Sequence, residues 1–250
     1  VWVLVLSVSV MTQPLYKLVR LYLNEEFSAG REIALSDDHV HYLRNVLRLQ
    51  AGQGLRVFNG RDGEWRADLK SLDKKRGIIT LQEILKPQTQ DGARIRLLFA
   101  PIKKQRMDFL IEKAVELGAT DFYPVLTGRT ENRHLKAERL SAQIIEAVEQ
   151  CERLDLPVLH PMDNLQNMLK AWDGPKILAC VERTEPPVLS SAPLSKDCAF
   201  LIGPEGGFDS EEGELLKNSA KVQAVGLGDT ILRAETAALL CLSYARMQLL

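Results

Sequence analysis

The sequence predicts an α/β protein in two parts: a small β-rich domain, then a larger domain built on a mostly parallel sheet. Three observations carry this. Short alternating or β-branched runs crowd the first third of the chain. Unbroken apolar runs alternate with helical stretches in the remainder. Between the two patterns lies a polar Pro/Gly stretch, KPQTQDGA, at residues 86–93. With 250 residues, 46% hydrophobic and 26% charged, the chain has ordinary globular usage and enough material for two modest cores.

Residues 1–10, VWVLVLSVSV, carry no charge. The run is too short to span a bilayer, and no basic residue precedes it as in a signal peptide. It is read as an upstream extension from a misassigned start, with a genuine extra edge strand as the alternative. From Leu18 to about Leu85, LVRLYL, GLRVFNG, EWRADLK and GIITLQEIL read as strands parted by Gly and Asp turns. One helix interrupts them, SDDHVHYLRNVLRL. Ser36 is its N-cap, Asp37 and Asp38 suit its dipole, and Val40, Leu43 and Leu47 form its apolar stripe with Val46 at the margin. Short strands with a single helix predict a small β-barrel.

Beyond the linker, RIRLLFA, DFYPVLT, LPVLHP, KILACV, CAFLIG and VQAVGLG read as strands. Helices are expected at 104–117, 137–153, 163–172, 209–219 and 235–248. Net charge is −1, so no global basic field points to nucleic acid and any polyanion site must be a local patch. Arg94, Arg96, Lys103, Lys104 and Arg106 form one acid-free basic run, readable as a solvated face or as a polyanion contact. Cys151, Cys180, Cys198 and Cys241 are scattered without a CxxC pair and read as buried reduced thiols, which fits a cytoplasmic protein. His39, His134 and His160 show no metal spacing, so no metal is expected.

Two loops carry the chemistry. LIGPEGGF, Leu201–Phe208, runs from a strand into glycines, with DSEE next resembling a capping box of Asp209 and Glu212. It matches neither the dinucleotide nor the phosphate-loop pattern, and Glu205 would repel a polyphosphate. Taken alone, it is better explained as a strand-to-helix turn whose glycines supply positive φ than as a ligand loop. The second loop, VGLGDTILRAETA, places Gly226 and Gly228 around Leu227, with Ile231 and Leu232 partly exposed. Apolar side chains beside bare backbone make a slot for a flat ring such as adenine. Parallel sheets collect ligand loops at the carboxyl ends of their strands, so both loops are expected to line one cleft.

At these residues the chain resembles the RsmE-type ribosomal RNA uridine-N3 methyltransferases of the SPOUT superfamily. LIGPEGGF and LGDTILRAETA carry the likeness, with KKQRMDFLIEKAVELGATDFYPVLTGRT, IIEAVEQCERLDLPVL and HVHYLRNVLRLQAGQ upstream. The resemblance implies a PUA-like RNA-binding β-barrel at residues 11–88 and a SPOUT methyltransferase domain at 93–250, its C-terminal chain threading a trefoil knot. It implies S-adenosyl-L-methionine as cofactor, a homodimer, and methylation of one uridine in 16S rRNA or the small ribosomal subunit. Residue by residue, it assigns Leu201, Ile202, Gly203, Pro204, Gly206, Gly207, Leu227, Gly228, Ile231, Leu232 and Ala237 to the cofactor. Arg233 is the candidate to stabilise charge on the uracil ring, with Glu205 as a second catalytic or cofactor-facing group. Arg20, His41, Arg44, Arg48, Lys103, Lys104 and Arg153 are candidates for RNA contact. The competing reading is a non-catalytic RNA-binding protein that keeps the knotted scaffold.

Overall fold

The computed structural model describes residues 14–89, 92–181 and 186–249; the apolar run at residues 1–10 lies outside them. Contacts divide the chain into two units, Val1–Gln88 and Thr89–Leu250.

The first unit contains β1 (Arg20–Tyr22), β2 (Glu32–Ala34), α1 (Asp37–His41), β3 (Gly54–Phe58), β4 (Glu64–Leu72) and β5 (Gly77–Lys86). They form one five-stranded sheet in the order β1-β3-β4-β5-β2. β1 pairs parallel with β3; the other ladders are antiparallel. Leu21, Leu43, Leu55, Leu69, Ile79 and Leu81 make its core. The three-residue β2 is too short to show alternation, and the sequence reading omits it. Ser36 caps α1 by accepting from the His39 N–H at 3.2 Å.

The helix is shorter than expected. After five residues it widens into a π-type turn, Tyr42–Val46, and Arg48 follows in the left-handed region at φ 57°. The wider turn brings Leu43, Leu47 and Leu49 to the same core, and leaves Val46 exposed. A buried charge cluster completes this unit. Glu64, 1% exposed, accepts from Arg20 Nε at 2.5 Å and faces Arg56 at 3.7 Å, while the Arg20 guanidinium lies over the Phe58 ring. Arg20 is therefore a core residue rather than an RNA contact, because a carboxylate at such burial needs cations beside it.

The second unit runs β6 (Arg94–Phe99), α2 (Lys104–Glu116), β7 (Asp121–Leu126), α3 (Ala137–Gln150), β8 (Val158–Leu159), β9 (Asp163–Asn164), α4 (Leu165–Ala171), β10 (Ile177–Cys180), β11 (Asp197–Ile202), α5 (Ser210–Asn218), β12 (Val222–Val225) and α6 (Ala234–Leu249). The strand order is β12-β10-β11-β6-β7-β8, with β9 also on β7, and every ladder is parallel. Central strands covered on both faces are buried along nearly their whole length, as β6 and β11 are. Phe99, Phe122 and Phe200 are fully buried, each contributing roughly 1.5–3 kcal/mol of burial. Gly118 ends α2 at φ 100°, a conformation that favours glycine. Among the described residues no helix is long and apolar enough to cross a membrane.

The two ends of this sheet differ in character. At the amino ends of the strands, Arg94 forms a two-pronged pair with Asp121 (2.9 and 2.7 Å), and Arg96 does the same with Asp197 (3.0 and 2.6 Å). Asp121 also meets His160 Nε2 at 2.9 Å and the Thr120 hydroxyl at 2.8 Å. Burial pushes its carboxyl upward, but the bonds from Arg94, His160 and Thr120 outweigh it and hold the group at about 2. The acid-free basic run is thus largely neutralised by acids from elsewhere in the chain. At the carboxyl ends of the strands lie the loops.

Candidate functional site

The loops after β11 and β12, with Cys180 at the end of β10 and Val181 after it, line a cleft of about 980 Å³. The first follows β11. A Cβ on Gly203 would stand 3.1 Å from the Phe208 ring, so a larger residue there would need the ring to give way by a few tenths of an ångström. Its far end is fixed by the expected capping box: Asp209 accepts from the Glu212 N–H at 2.9 Å, and Glu212 accepts from the Asp209 N–H at 3.1 Å. The turn after β7 braces the loop from outside. The Gly128 N–H reaches Glu212 Oε1 at 2.7 Å, and Arg129 Nη1 donates to the Gly206 carbonyl at 2.7 Å. A Cβ on Gly128 would lie 2.2 Å from Asp209 Oδ2, so a side chain there would displace the capping carboxylate.

The second loop follows β12 and pairs with the segment that precedes β11. The Gly226 N–H donates to the Pro187 carbonyl, and the Leu189 N–H donates to the Gly226 carbonyl, both at 2.9 Å. Leu227, Gly228, Ile231, Leu232 and Ala237 line the cleft together with Ile202, Gly203, Pro204, Gly206 and Gly207. Ile231 is 68% exposed, an apolar side chain offered to the opening. The structure therefore brings together ten of the eleven cofactor candidates. Leu201 is the exception: its side chain is fully buried against the sheet core, since strand alternation turns it away from the loop.

Glu205 and Arg233 both line this cleft, with two further guanidinium groups that sequence reasoning did not place there, Arg106 and Arg129. Arg106, from α2, stands 3.6 Å from Glu205 Oε1 and 3.7 Å from Glu235 Oε1. Glu235, at the start of α6, is buried, and its Oε2 has no hydrogen-bond partner among the described residues. Arg106 thus joins three elements around the cleft. Arg129 is engaged by Gly206. Arg233 is exposed and has no acidic partner among the described residues, so its guanidinium remains available to a ligand. At the cleft wall Cys180 Sγ lies 3.4 Å from Cys241 Sγ. The contact with Cys180, with burial, raises the Cys241 thiol well above its ordinary value, so it stays protonated. Cys180 and Cys151 are only half-buried, unlike the expectation for all four cysteines.

The RNA-contact candidates are dispersed. Arg153 turns inward, donating to the Val115 and Ala119 carbonyls at 2.7 and 2.8 Å and pairing with Asp155. It closes the end of α2 and does not reach the cleft. Lys103 faces Glu131 at 3.6 Å, and Lys104 lines a second, smaller cavity. In the first unit, His41 and Arg48 are exposed and Arg44 donates to the Asn45 side chain at 3.2 Å. The left-handed turn at Arg48 removes it from the helical face expected to hold all three.

Comparison with known proteins agrees with this geometry. Residues 89–246 match an RNA methyltransferase domain family and residues 35–82 an RNA methyltransferase PUA domain family. A ribosomal RNA small subunit methyltransferase E from Rickettsia conorii is 37% identical over 91% of this chain and 95% of that relative. Another from Synechocystis is 35% identical over 87% of this chain and 74% of the relative. Among solved structures, the Neisseria gonorrhoeae ribosomal RNA small subunit methyltransferase E bound to S-adenosyl methionine superimposes with a TM-score of 0.82. It is 30% identical and covers 93% of this chain and 98% of its own. A Legionella pneumophila methyltransferase with bound SAM gives a TM-score of 0.85 at 28% identity, with the same coverage.

Proposed function

We propose that this chain, which belongs to the ribosomal RNA small subunit methyltransferase E family, methylates N3 of a uridine in 16S rRNA with S-adenosyl-L-methionine as donor. One observation carries the reading: two glycine loops from distant parts of the chain meet on a single cleft, whose lining includes Leu227, Ile231 and Leu232 together with the Glu205 carboxylate. The residues present suit that cofactor. Leu227, Ile231 and Leu232 offer apolar surface for adenine, Gly203, Gly206 and Gly228 offer bare backbone, and Glu205 opposes a positive sulfur. Neither loop holds the lysine that a polyphosphate would need.

When bound, the sulfonium supplies a methyl group already activated for in-line displacement. The chain's own task is alignment and charge. N3 of uracil becomes a nucleophile as its proton leaves, which spreads negative charge onto O2 and O4. Arg233, exposed at the cleft and next to α6, is placed to stabilise that charge. Arg106 holds Glu205 and Glu235 in register, so the carboxylate facing the sulfur keeps its position when the cleft fills. Incubation with labelled methyl donor and small ribosomal subunits or naked 16S rRNA, followed by mapping of the modified base, is expected to find label on uracil N3. Label on no RNA refutes the reading.

The same reading includes a knotted second unit, a dimer and a cytoplasmic setting. The loop after β12 runs alongside the segment between β10 and β11, the arrangement that a threaded C-terminal chain requires. α2 and α6 pack together and expose Phe109, Leu240 and Met247, an apolar face suited to a second copy of this chain. Light scattering on the purified protein is expected to give twice the chain mass; a monomer at micromolar concentration removes this part.

A further inference from the structure

The beginnings of α2 and α3 meet at a second cavity, of about 230 Å³, in the same unit as the cleft. Both helices start without a side-chain cap, since their N-cap positions are Lys103 and Lys136, which have no acceptor to offer. Their first N–H groups therefore favour an anion at that end. Lys104, His134, Lys136 and Arg139 line the cavity, and no carboxylate does among the described lining residues. Only Arg139 among these four has an acidic partner among the described residues, Asp108. The pocket concentrates positive charge from two helices and the loop between β7 and α3.

A bare anion would not satisfy everything in it. Gln143 Oε1 is buried in the wall with no hydrogen-bond partner among the described residues. An orphaned acceptor needs an N–H or O–H, which a phosphodiester lacks and a ribose or base supplies. Met107 and Leu140 add an apolar surface for the sugar or base face. The position relative to the cleft narrows the choice. Lys104 of this cavity is two residues before Arg106 of the cleft, roughly 3 Å along the helix. One loop likewise contributes Arg129 to the cleft and Asn132 to the cavity.

We infer that this cavity is a subsite for a nucleotide flanking the modified uridine. Its phosphodiester sits on Lys104, Lys136 and the two helix starts, and a ribose hydroxyl or base N–H bonds to Gln143. The inference rests on the RNA methyltransferase reading above, and its test separates the two. The probe is a short fluorescent single-stranded RNA titrated into the full chain saturated with S-adenosylhomocysteine. Lys104→Gln with Lys136→Gln is expected to weaken binding about tenfold and to reduce the salt slope by about two phosphate contacts. Gln143→Leu is expected to weaken binding several-fold with the salt slope unchanged, because it removes no charge. In transfer assays both variants should raise KM for RNA rather than lower kcat, and calorimetry should show the cofactor bound as in the parent. If RNA affinity and salt slope stay at parental values in both variants, or the parent itself binds no RNA, the subsite is overturned. If the variants lose affinity as stated while no RNA is ever methylated, the subsite stands and the proposed reaction fails.

Discussion

Glu212→Ala tests whether the cap of α5 also sets the shape of the glycine loop after β11, the proposed cofactor loop. The carboxylate takes the Gly128 N–H at 2.7 Å and the Asp209 N–H at 3.1 Å, so its removal leaves two donors without their acceptor. A hydrogen bond to a charged group contributes roughly 1.5–3 kcal/mol, and an exposed one less because water replaces it. The Gly128 donor is exposed and the Asp209 donor half-buried, so the combined loss is about 2 kcal/mol. If that loss falls on ordering the loop between Gly203 and Asp209, affinity for S-adenosylhomocysteine drops by about thirtyfold, since about 1.4 kcal/mol corresponds to a factor of ten. Titration calorimetry reads the affinity and urea denaturation the stability. Glu212→Gln keeps one carbonyl acceptor and should recover about half of the loss. Gly128→Ala should behave like Glu212→Ala, because its Cβ would collide with Asp209. Affinity within twofold of the parent in Glu212→Ala would refute the coupling between cap and cleft.

Three further outcomes are expected. Arg233→Ala should reduce methyl transfer by at least a hundredfold while leaving cofactor affinity near the parental value, in line with the loss of one charge-stabilising group; unchanged turnover would show that the guanidinium has another task. Asp121 has its folded carboxyl at about 2, below the ordinary 3.8, so it adds about 2 kcal/mol of stability that is complete above about pH 4 and lost as pH falls through about 2. Asp121→Asn should lack that acid-dependent portion, and acid unfolding superimposable on the parent would remove the network from the account. Arg44→Gln with Arg48→Gln should weaken RNA binding by the first unit and flatten its salt dependence; an unaltered slope would exclude both from the interface.

What was legible in the sequence is what depends on neighbours along the chain. The capping box of Asp209 and Glu212, the Ser36 cap and the apolar strands each announce themselves within a few residues, and each forms as expected. The first glycine loop was readable only as a turn or a ligand loop, because neighbours along the chain do not show that it meets the second loop on one cleft. Arg106 was not readable as a cleft residue, because its partners Glu205 and Glu235 lie about a hundred residues and more downstream. The same blindness made the basic run look unopposed. Asp121 and Asp197 neutralise Arg94 and Arg96 only once the sheet has formed. Arg20 shows the complementary error, since a cation in an alternating strand gives no sign of whether it faces water or a buried carboxylate such as Glu64. The early turn at Arg48 was hidden because apolar spacing alone does not distinguish a regular helix from one that widens to keep three leucines inward.

The pairing of β6 with β11 joins Arg94 to Asp197, more than a hundred residues apart, at the centre of the second unit. Ladders of this kind wait on the closure of a long stretch of chain, so they form late and slowly. A refolding molecule would regain its local helical signal first and stay unable to take up a nucleoside until that central seam closes. Ligand uptake would then serve as a clock for the final stage of assembly, lagging behind far-ultraviolet recovery. Proteases added during the interval would find the cleft loops open to cutting, and the same loops shielded once the seam has shut.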